Sequence, residues 1–197
     1  MYQDLMDCYR SELIEYINQI NTEQFQAFME ILLYAYREDR TIFLMGNGGS
    51  AATANHFVCD FGKNSVMGKK RRFRIFSLSE SVEKITALGN DISFDDIFRQ
   101  QLINLMRKGD VVIAVSASGN SDNLVHALEY ARTKDGRIIS LTGFNGGKIR
   151  ELSDLCLVAQ MQSYERIEDV HLIILHMAVC FFKEHQELLE LCDAAGK

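Results

Sequence analysis

The amino-acid sequence predicts an α/β domain with a largely parallel sheet, preceded by two helices. From residue 41 onward, short apolar segments alternate with amphipathic segments of helical period, the pattern of parallel strands joined by helices. One segment, "DVVIAVS" at 110–116, is apolar and β-branched almost throughout, as expected of a strand covered on both faces. The 197 residues are enough for one domain with a substantial core, so we expect a single domain over residues 1–197.

The first two predicted helices lie within residues 3–38, outside the strand–helix alternation. Each carries an apolar stripe at helical spacing. The first stripe consists of Leu5, Tyr9, Leu13, Tyr16 and Ile17, and the second of Phe25, Phe28, Ile31, Leu32 and Tyr36.

Five strands and the helices between them are predicted after residue 39. The strands are "RTIFLMG" (40–46), "FRIFSL" (73–78), "DVVIAVS" (110–116), "RIISLTG" (137–143) and "LCLVAQ" (155–160). Helices are predicted over 50–61 and 122–134, and helical segments around a turn at Gly89-Asn90-Asp91. A long helix from Glu168 to about Leu191 closes the chain.

Composition and charge exclude several classes of protein. The net charge of −6 argues against a general nucleic-acid binder, and no apolar run approaches the ~18 residues of a membrane span. The N-terminal segment is too charged for a signal peptide. The five cysteines are scattered, and apolar neighbours favour buried thiols for most of them in a reducing cytoplasm. We therefore expect a cytoplasmic protein without nucleic-acid or membrane partners.

A basic cluster, "KKRRFR" at 69–74, lies between a predicted helix and a predicted strand. Such a cluster is most often a solvated loop, which is what we expect here. The alternative is a rim that attracts anions.

Two predicted strand ends carry the same chemistry. "GNGGSAA" follows the first strand and "SASGNSDNL" follows the third, each at the start of a helix. Free backbone N–H groups and the positive end of a helix favour an anion at such a turn, and serine hydroxyls add neutral donors. We expect a phosphate monoester there. The predicted binding residues are Asn47, Gly48, Gly49, Ser50, Ser116, Ser118, Asn120 and Ser121.

Three other interpretations of these turns are less favoured. Ser and Asn commonly cap helices, but two such turns at neighbouring strand ends favour a ligand. A nucleotide-binding P-loop needs a lysine, and none follows either turn. Gly46-x-Gly48-x-x-Ala51 fits the dinucleotide fingerprint, yet the acidic residue expected about 20 positions later is missing.

Two histidines and two carboxylates form the second group of candidate residues. His56 and Asp60 are four residues apart on a predicted helix, so they share one face, one turn apart. Glu168 and His176 are eight residues apart, about 80° from alignment, and converge only around a fairly wide cavity.

These motifs together resemble the sugar-isomerase (SIS) domain family, and most closely its phosphoheptose isomerases, which interconvert sedoheptulose 7-phosphate and a heptose 7-phosphate. In chain order, the segments that match are "GNGGSAATANHF", "GNDISFDDIFRQQL", "SASGNSDNL" and "RIEDVHLIILH", and the resemblance covers nearly the whole chain. The resemblance implies a flavodoxin-like three-layer sandwich assembled as a homotetramer. The leading helices, 1–38, would then pack between subunits, and each active site would draw on more than one chain.

The resemblance also implies roles for individual residues. Asn47 and the four serines fall on the family's phosphate and substrate contacts, and His56 and His176 match its metal-binding or catalytic histidines. Two positions depart from the pattern. The catalytic glutamate of the family is Asp60 here, and the glutamine that opens its closing signature is Glu168.

Two roles remain open for these side chains. In an aldose–ketose isomerase, Asp60 fits the base and His176 the acid or proton shuttle. Alternatively, His56, Asp60, Glu168 and His176 form a site for Zn²⁺ that polarises the substrate oxygens, and a ligand carboxylate can still be the base.

The remaining candidates have weaker assignments. Glu80, at a strand end, is predicted to face sugar hydroxyls. His171 points away from His176 and is assigned to packing or a supporting position. His126 and His185 lie on polar faces and are expected to be inert.

The sequence therefore predicts a sugar-phosphate isomerase that acts by enediolate proton transfer, most simply on sedoheptulose 7-phosphate. The alternative is a non-catalytic phosphosugar-binding protein that regulates a partner such as a replication initiator. It needs the serine turns but no acid–base pair, so the histidines and carboxylates favour the enzyme.

Overall fold

The computed structural model of the protein describes residues 1–68 and 71–195. Helices α1 (Tyr2–Gln19) and α2 (Thr22–Arg37) come first. The described strands are β1 (Thr41–Gly46), β2 (Arg74–Ser77), β3 (Val111–Ser116), β4 (Arg137–Gly143) and β5 (Leu155–Ala159). The other helices are α3 (Gly48–Asn64), α4 (Val82–Asp91), α5 (Ile97–Leu105), α6 (Asp122–Thr133), α7 (Ile149–Leu152), α8 (Tyr164–Glu184) and α9 (Gln186–Ala195).

The five described strands form one parallel sheet in the order β2-β1-β3-β4-β5. From β1 the chain moves outward to β2 and then returns to place β3 on the other side of β1. Ligands of open α/β sheets bind beyond the carboxyl ends of strands at such a reversal. Gly46 pairs with Val115 in register, so the turns after β1 and β3 begin side by side.

Helices cover both faces of the sheet, which confirms the predicted three-layer α/β fold. One apolar core combines α2, α3 and α8 with the sheet, including Phe28, Phe57 and Phe182. The other core joins α5 and α6 to the opposite face, including Phe98 and Leu128. Val111–Val115 are fully buried, as predicted for a strand with helices on both sides.

Two predicted boundaries are wrong. The turn expected at Gly89-Asn90-Asp91 is helical: α4 continues to Asp91, and the amide of Ile92 still donates to the Leu88 carbonyl. Helical hydrogen bonding outweighs the weak helix propensity of these residues. The closing helix starts earlier, at Tyr164, and breaks at His185 before α9 begins.

The predicted burial of most cysteines is also wrong. Cys8, Cys59 and Cys180 are exposed, and Cys156 and Cys192 are partly buried; all five are free thiols. Cys59 and Cys180 lie on helices whose buried residues form another face, which turns these two thiols outward.

The predicted basic loop lies partly outside the described residues, because Lys69 and Lys70 are not described. Residues 71–73 are irregular, and Arg74 already begins β2. Among the described residues, no helix combines the length and the apolar character needed to cross a membrane.

Candidate active site

The two predicted binding turns are tied together directly. Asn47 follows β1, and Asn123 lies in the first turn of α6, after β3. Their side-chain amides exchange two hydrogen bonds, each 3.0 Å long. Asn47 therefore holds the two turns in a fixed relation, and Asn123 is a site residue that the sequence analysis did not select.

Both helices at this edge begin without a side-chain cap. Asn47 at the start of α3 and Ser121 at the start of α6 accept no capping hydrogen bond from the first turn. The first amides of a helix need a partner, so these two helices leave N–H donors available to an anion. The hydroxyls of Ser50 and Ser121 likewise have no hydrogen-bond partner among the described residues.

The second turn, Ser116–Asn120, is shaped by its own polar groups. The Ser116 hydroxyl accepts from the Gly119 amide at 3.1 Å, and the Ser118 hydroxyl accepts from the Asn120 amide at 3.3 Å. A serine hydroxyl that accepts a hydrogen bond still has its own hydrogen to donate. Ser116 and Ser118 are thus fixed in place and keep a donor for a ligand.

A loop that was not predicted to be functional supports this turn. The amide of Lys148 donates to Asn120 Oδ1 at 3.1 Å, and the amide of Ile149 donates to the Gly119 carbonyl at 3.0 Å. Gly119 has φ +66°, and a Cβ added to it would overlap the carbonyl oxygen of Gly146. The paired glycines in "NGGK" (145–148) were the sequence signal for this close approach.

The structure brings together His56, Asp60 and His176. The Nε2 atoms of the two histidines are 2.9 Å apart, and Asp60 Oδ2 lies 3.4 Å from the first and 3.7 Å from the second. One ligand atom from each of the three side chains lies within 4.8 Å of the others. Three of the four side chains predicted to form a site thus come together between α3 and α8.

This trio is partly exposed to solvent. Its side chains are 48%, 31% and 45% exposed, in the order His56, Asp60, His176. His56 lies six residues beyond Ser50 on α3, which places it about 9 Å along the helix axis from the serine. The turns and the trio thus occupy the two ends of one stretch of α3.

Glu168 is not part of this trio in the described structure. Its carboxylate packs against Gly49 at the start of α3, in space that a Cβ there would fill. It lies eight residues before His176 on α8, about 12 Å along the axis. Partial burial, and then the charges of Glu165 and Asp169, raise the pKa of the Glu168 carboxyl. In this position the Glu168 carboxylate is not one of the clustered side chains, so it does not act as the predicted fourth metal ligand here.

The other candidate residues are not part of the trio. Glu80 lines a separate hollow beside β2. His171 is buried and its Nε2 lies 2.9 Å from the Thr142 carbonyl, the packing role that was expected; burial lowers its pKa to about 4. His126 and His185 are partly exposed and lie close to Asp96 and Glu187.

Comparison with protein families finds the SIS domain over residues 8–143. The phosphoheptose isomerase of Pelobacter propionicus is 42% identical over 149 residues, which cover 76% of this chain and 78% of that protein. The phosphoheptose isomerase of Geobacter sulfurreducens is 37% identical over 169 residues, covering 86% and 88%.

Among solved structures, phosphoheptose isomerase GmhA from Neisseria gonorrhoeae is similar to this chain with a TM-score of 0.85. The two are 30% identical, and the match covers 93% of this chain and all of that one. A phosphoheptose isomerase from Francisella tularensis has the same fold, with a TM-score of 0.82 at 22% identity.

Proposed function

The chain belongs to the SIS domain family and is a sugar-phosphate isomerase related to the phosphoheptose isomerases, and on that premise we propose that it interconverts sedoheptulose 7-phosphate and a heptose 7-phosphate. The observation that supports this substrate is the distance between the two parts of the site. Ser50, in the first donor-rich turn, lies about 9 Å along the α3 axis from His56 of the His56–Asp60–His176 trio. That distance suits a sugar with its phosphate at one end and its carbonyl at the other.

The phosphate end is held by neutral donors. We assign this role to the free amides at the starts of α3 and α6 and to the hydroxyls of Ser50, Ser116, Ser118 and Ser121. Gly48 and Gly49 contribute backbone amides, and Asn120 shapes the second turn through its hydrogen bonds with Ser118 and Lys148. Donors that are fixed before the ligand arrives do not have to be reorganised when a dianion binds.

Proton transfer takes place at the other end. Asp60 removes the proton from the carbon beside the carbonyl and returns it to the neighbouring carbon, while His176 exchanges protons with the two oxygens. Because the Nε2 atoms of His56 and His176 are within hydrogen-bond distance, one of them carries the proton and the other accepts it. His56 therefore orients the His176 ring.

The same donor set fits a metal. Two imidazole nitrogens and a carboxylate oxygen are typical ligands of catalytic Zn²⁺, which leaves a position open for substrate. Bound Zn²⁺ would polarise the substrate oxygens. Glu168 remains a proposed fourth ligand that would have to leave Gly49.

Two further proposals concern the whole protein. We propose a homotetramer in which the leading helices pack between subunits and sites are shared, and a cytoplasmic location. The exposed apolar side chains of α1 support the first proposal. Glu80 would reach sugar hydroxyls only if the substrate extends toward the β2 edge.

The direct test is turnover of sedoheptulose 7-phosphate by the purified protein. We expect Asp60→Asn and His176→Ala each to lower kcat by about 100-fold or more, because each removes a group that moves a proton. His126→Ala is the matched control, since His126 is also a partly exposed histidine beside an aspartate.

Equal rates in wild type and both variants would refute the assigned roles. Binding of the sugar phosphate without any turnover by the wild type would favour the regulatory alternative. The isomerase relatives do not favour that alternative.

Metal binding has its own test, a Zn²⁺ titration followed by calorimetry. We expect His56→Ala to weaken Zn²⁺ binding at least tenfold, because it removes one of three clustered ligands. If the Glu168 carboxylate stays against Gly49, Glu168→Gln should weaken Zn²⁺ binding less than His56→Ala does. If the carboxylate is a metal ligand, the two variants should weaken Zn²⁺ binding equally. Unchanged binding in His56→Ala would exclude the metal site.

A further inference from the structure

A second hollow lies beside the edge strand β2, on the sheet face opposite α3. It has a volume of about 590 Å³, within the range of small-molecule sites. Its walls are β2, the start of α4, and the end of α5 with the loop that follows it. The described site residues on the serine turns are not among those that line it.

The sheet topology creates this hollow. Ile75 and Ser77 of β2 face α3 and are buried. Arg74 and Phe76 point to the other face, where α5 packs against the inner strands and leaves β2 uncovered, so both side chains are exposed. The edge strand β2 therefore lines the hollow with the exposed side chains of Arg74 and Phe76.

The hollow is positively charged although the protein is acidic overall. Arg74, Lys84 and Arg107 line it against one carboxylate, Glu80, whereas the whole chain has a net charge of −6. Arg74 lies 3.7 Å from Asp39. The side chains of Lys84 and Arg107 have no ion pair or hydrogen bond with the described residues. Two free cations in one hollow favour an anionic ligand.

An aromatic surface lies beside these cations. Phe76 is 49% exposed, and its ring stacks on the buried Phe43 with centroids 6.4 Å apart and an angle of 29°. The inner face of Phe76 is therefore supported by Phe43, and the outer face is available to a planar ring. Stacking of a nucleic-acid base on an aromatic ring is worth about 1–3 kcal/mol.

Amide groups complete the lining. Gln101 is 5% exposed and donates to the carbonyls of Leu78 and Ile97, at 2.9 and 3.0 Å. These bonds use both amide hydrogens and fix its side chain, so its carbonyl oxygen can accept from a ligand. Asn104 lies one turn along α5 and also lines the hollow. Gln101 belongs to "FRQQ", a segment for which the proposed isomerase mechanism has no role.

We propose that this hollow binds a nucleoside phosphate. The base stacks on Phe76, the amides of Gln101 and Asn104 recognise its polar edge, and Lys84 and Arg107 bind the phosphates. Glu80 lies where a carboxylate accepts hydrogen bonds from ribose hydroxyls. The hollow is separate from the isomerase site, so the nucleotide and the sugar phosphate bind without competing.

The test is direct binding of ADP by calorimetry, with inorganic phosphate and adenosine as fragment probes. We expect ADP to bind more tightly than either fragment. Arg107→Ala should weaken ADP at least tenfold, because it removes a charged donor. Phe76→Leu should weaken ADP and adenosine but not phosphate. Lys108→Ala is the matched control, a neighbouring exposed cation paired with Asp135.

The location of the ADP site is tested by competition with the sugar phosphate and by the mass of the protein in sedimentation. Saturating sedoheptulose 7-phosphate should leave ADP affinity unchanged, and loss of isomerase activity in Asp60→Asn should not affect ADP binding. Displacement of ADP by the sugar phosphate, or equal affinity in all variants, overturns the proposal. So does the absence of ADP binding. A fall in sedimentation mass in Arg107→Ala or Phe76→Leu would show instead that a second copy covers the hollow.

Discussion

His171 is a histidine that the fold keeps neutral. It is fully buried in α8, its Nε2 lies 2.9 Å from the Thr142 carbonyl, and its Nδ1 has no partner among the described residues. Removal of the imidazole from water lowers its pKa to about 4. Since Nε2 faces a carbonyl, it must carry the hydrogen, which fixes the neutral tautomer.

This burial makes the stability of the protein depend on pH. Between about pH 6.5 and pH 4 the unfolded chain binds a proton at His171 that the folded chain does not. The free energy of unfolding should therefore fall as the pH decreases, by about 1.4 kcal/mol per unit from this residue. Urea unfolding of wild type and His171→Gln, measured from pH 7 to 4.5, should show a shallower dependence in the variant.

The glutamine variant keeps an N–H donor for Thr142 but does not titrate in this range. His126→Gln is the control, because His126 is partly exposed. If the free energy of unfolding of His171→Gln has the same pH dependence as that of the wild type, the assignment of a buried, neutral His171 is wrong.

The trio depends on how two helices pack. Gly49 faces Glu168 and His56 faces His176, so α3 and α8 run in the same direction with nearly constant offset. Spacing along α3 predicted that His56 and Asp60 share a face. The contact of these two residues with His176 depends instead on the packing of α3 against α8.

The turn after β3 is sensitive to a single substitution. Gly119→Ala should raise KM for the sugar phosphate by about tenfold and destabilise the protein by about 1–3 kcal/mol, because of its positive φ and the overlap with Gly146. Steady-state kinetics and thermal melting measure the two effects.

Gly89→Ala is the matched control. Gly89 lies inside α4, and the nearest atoms to an added Cβ are 3.9 Å away. This variant should be as stable as wild type or more so, since alanine favours a helix by about 1 kcal/mol over glycine. A Gly119→Ala protein with unchanged KM would remove that turn from the phosphate site.

The whole molecule has an exposed apolar helix at one end. Within the described part of the chain, α1 has no buried residue, and Leu5 and Met6 are 62% and 53% exposed. Tyr9 and Tyr16 connect it to the body by hydrogen bonds to Asp169 and to the Val158 carbonyl. Large apolar side chains left in water favour contact with another protein surface.

A double variant, Leu5→Glu with Met6→Glu, should therefore dissociate the proposed tetramer. Sedimentation should give a lower mass, while the far-UV circular dichroism stays similar because neither side chain is buried within the chain. Gln3→Glu tests for an effect of charge alone. A wild-type protein that sediments as a monomer contradicts the proposal.

Much of the architecture was predictable because it depends on local patterns. All five described strands lie at the predicted positions, since alternation of apolar segments with amphipathic ones is a property of neighbouring residues. The boundaries of α4 and α8 were not predictable, because hydrogen bonding and packing outweighed the propensities of a few residues.

By itself, the sequence determined the α/β class, the two donor-rich turns and the face shared by His56 and Asp60. The tertiary structure decided the rest. It joined the turns through Asn47 and Asn123, brought His176 to the pair, and placed Glu168 against Gly49. Spacing along one chain segment fixes which residues share a face, but contacts across more than 70 residues depend on how whole elements pack.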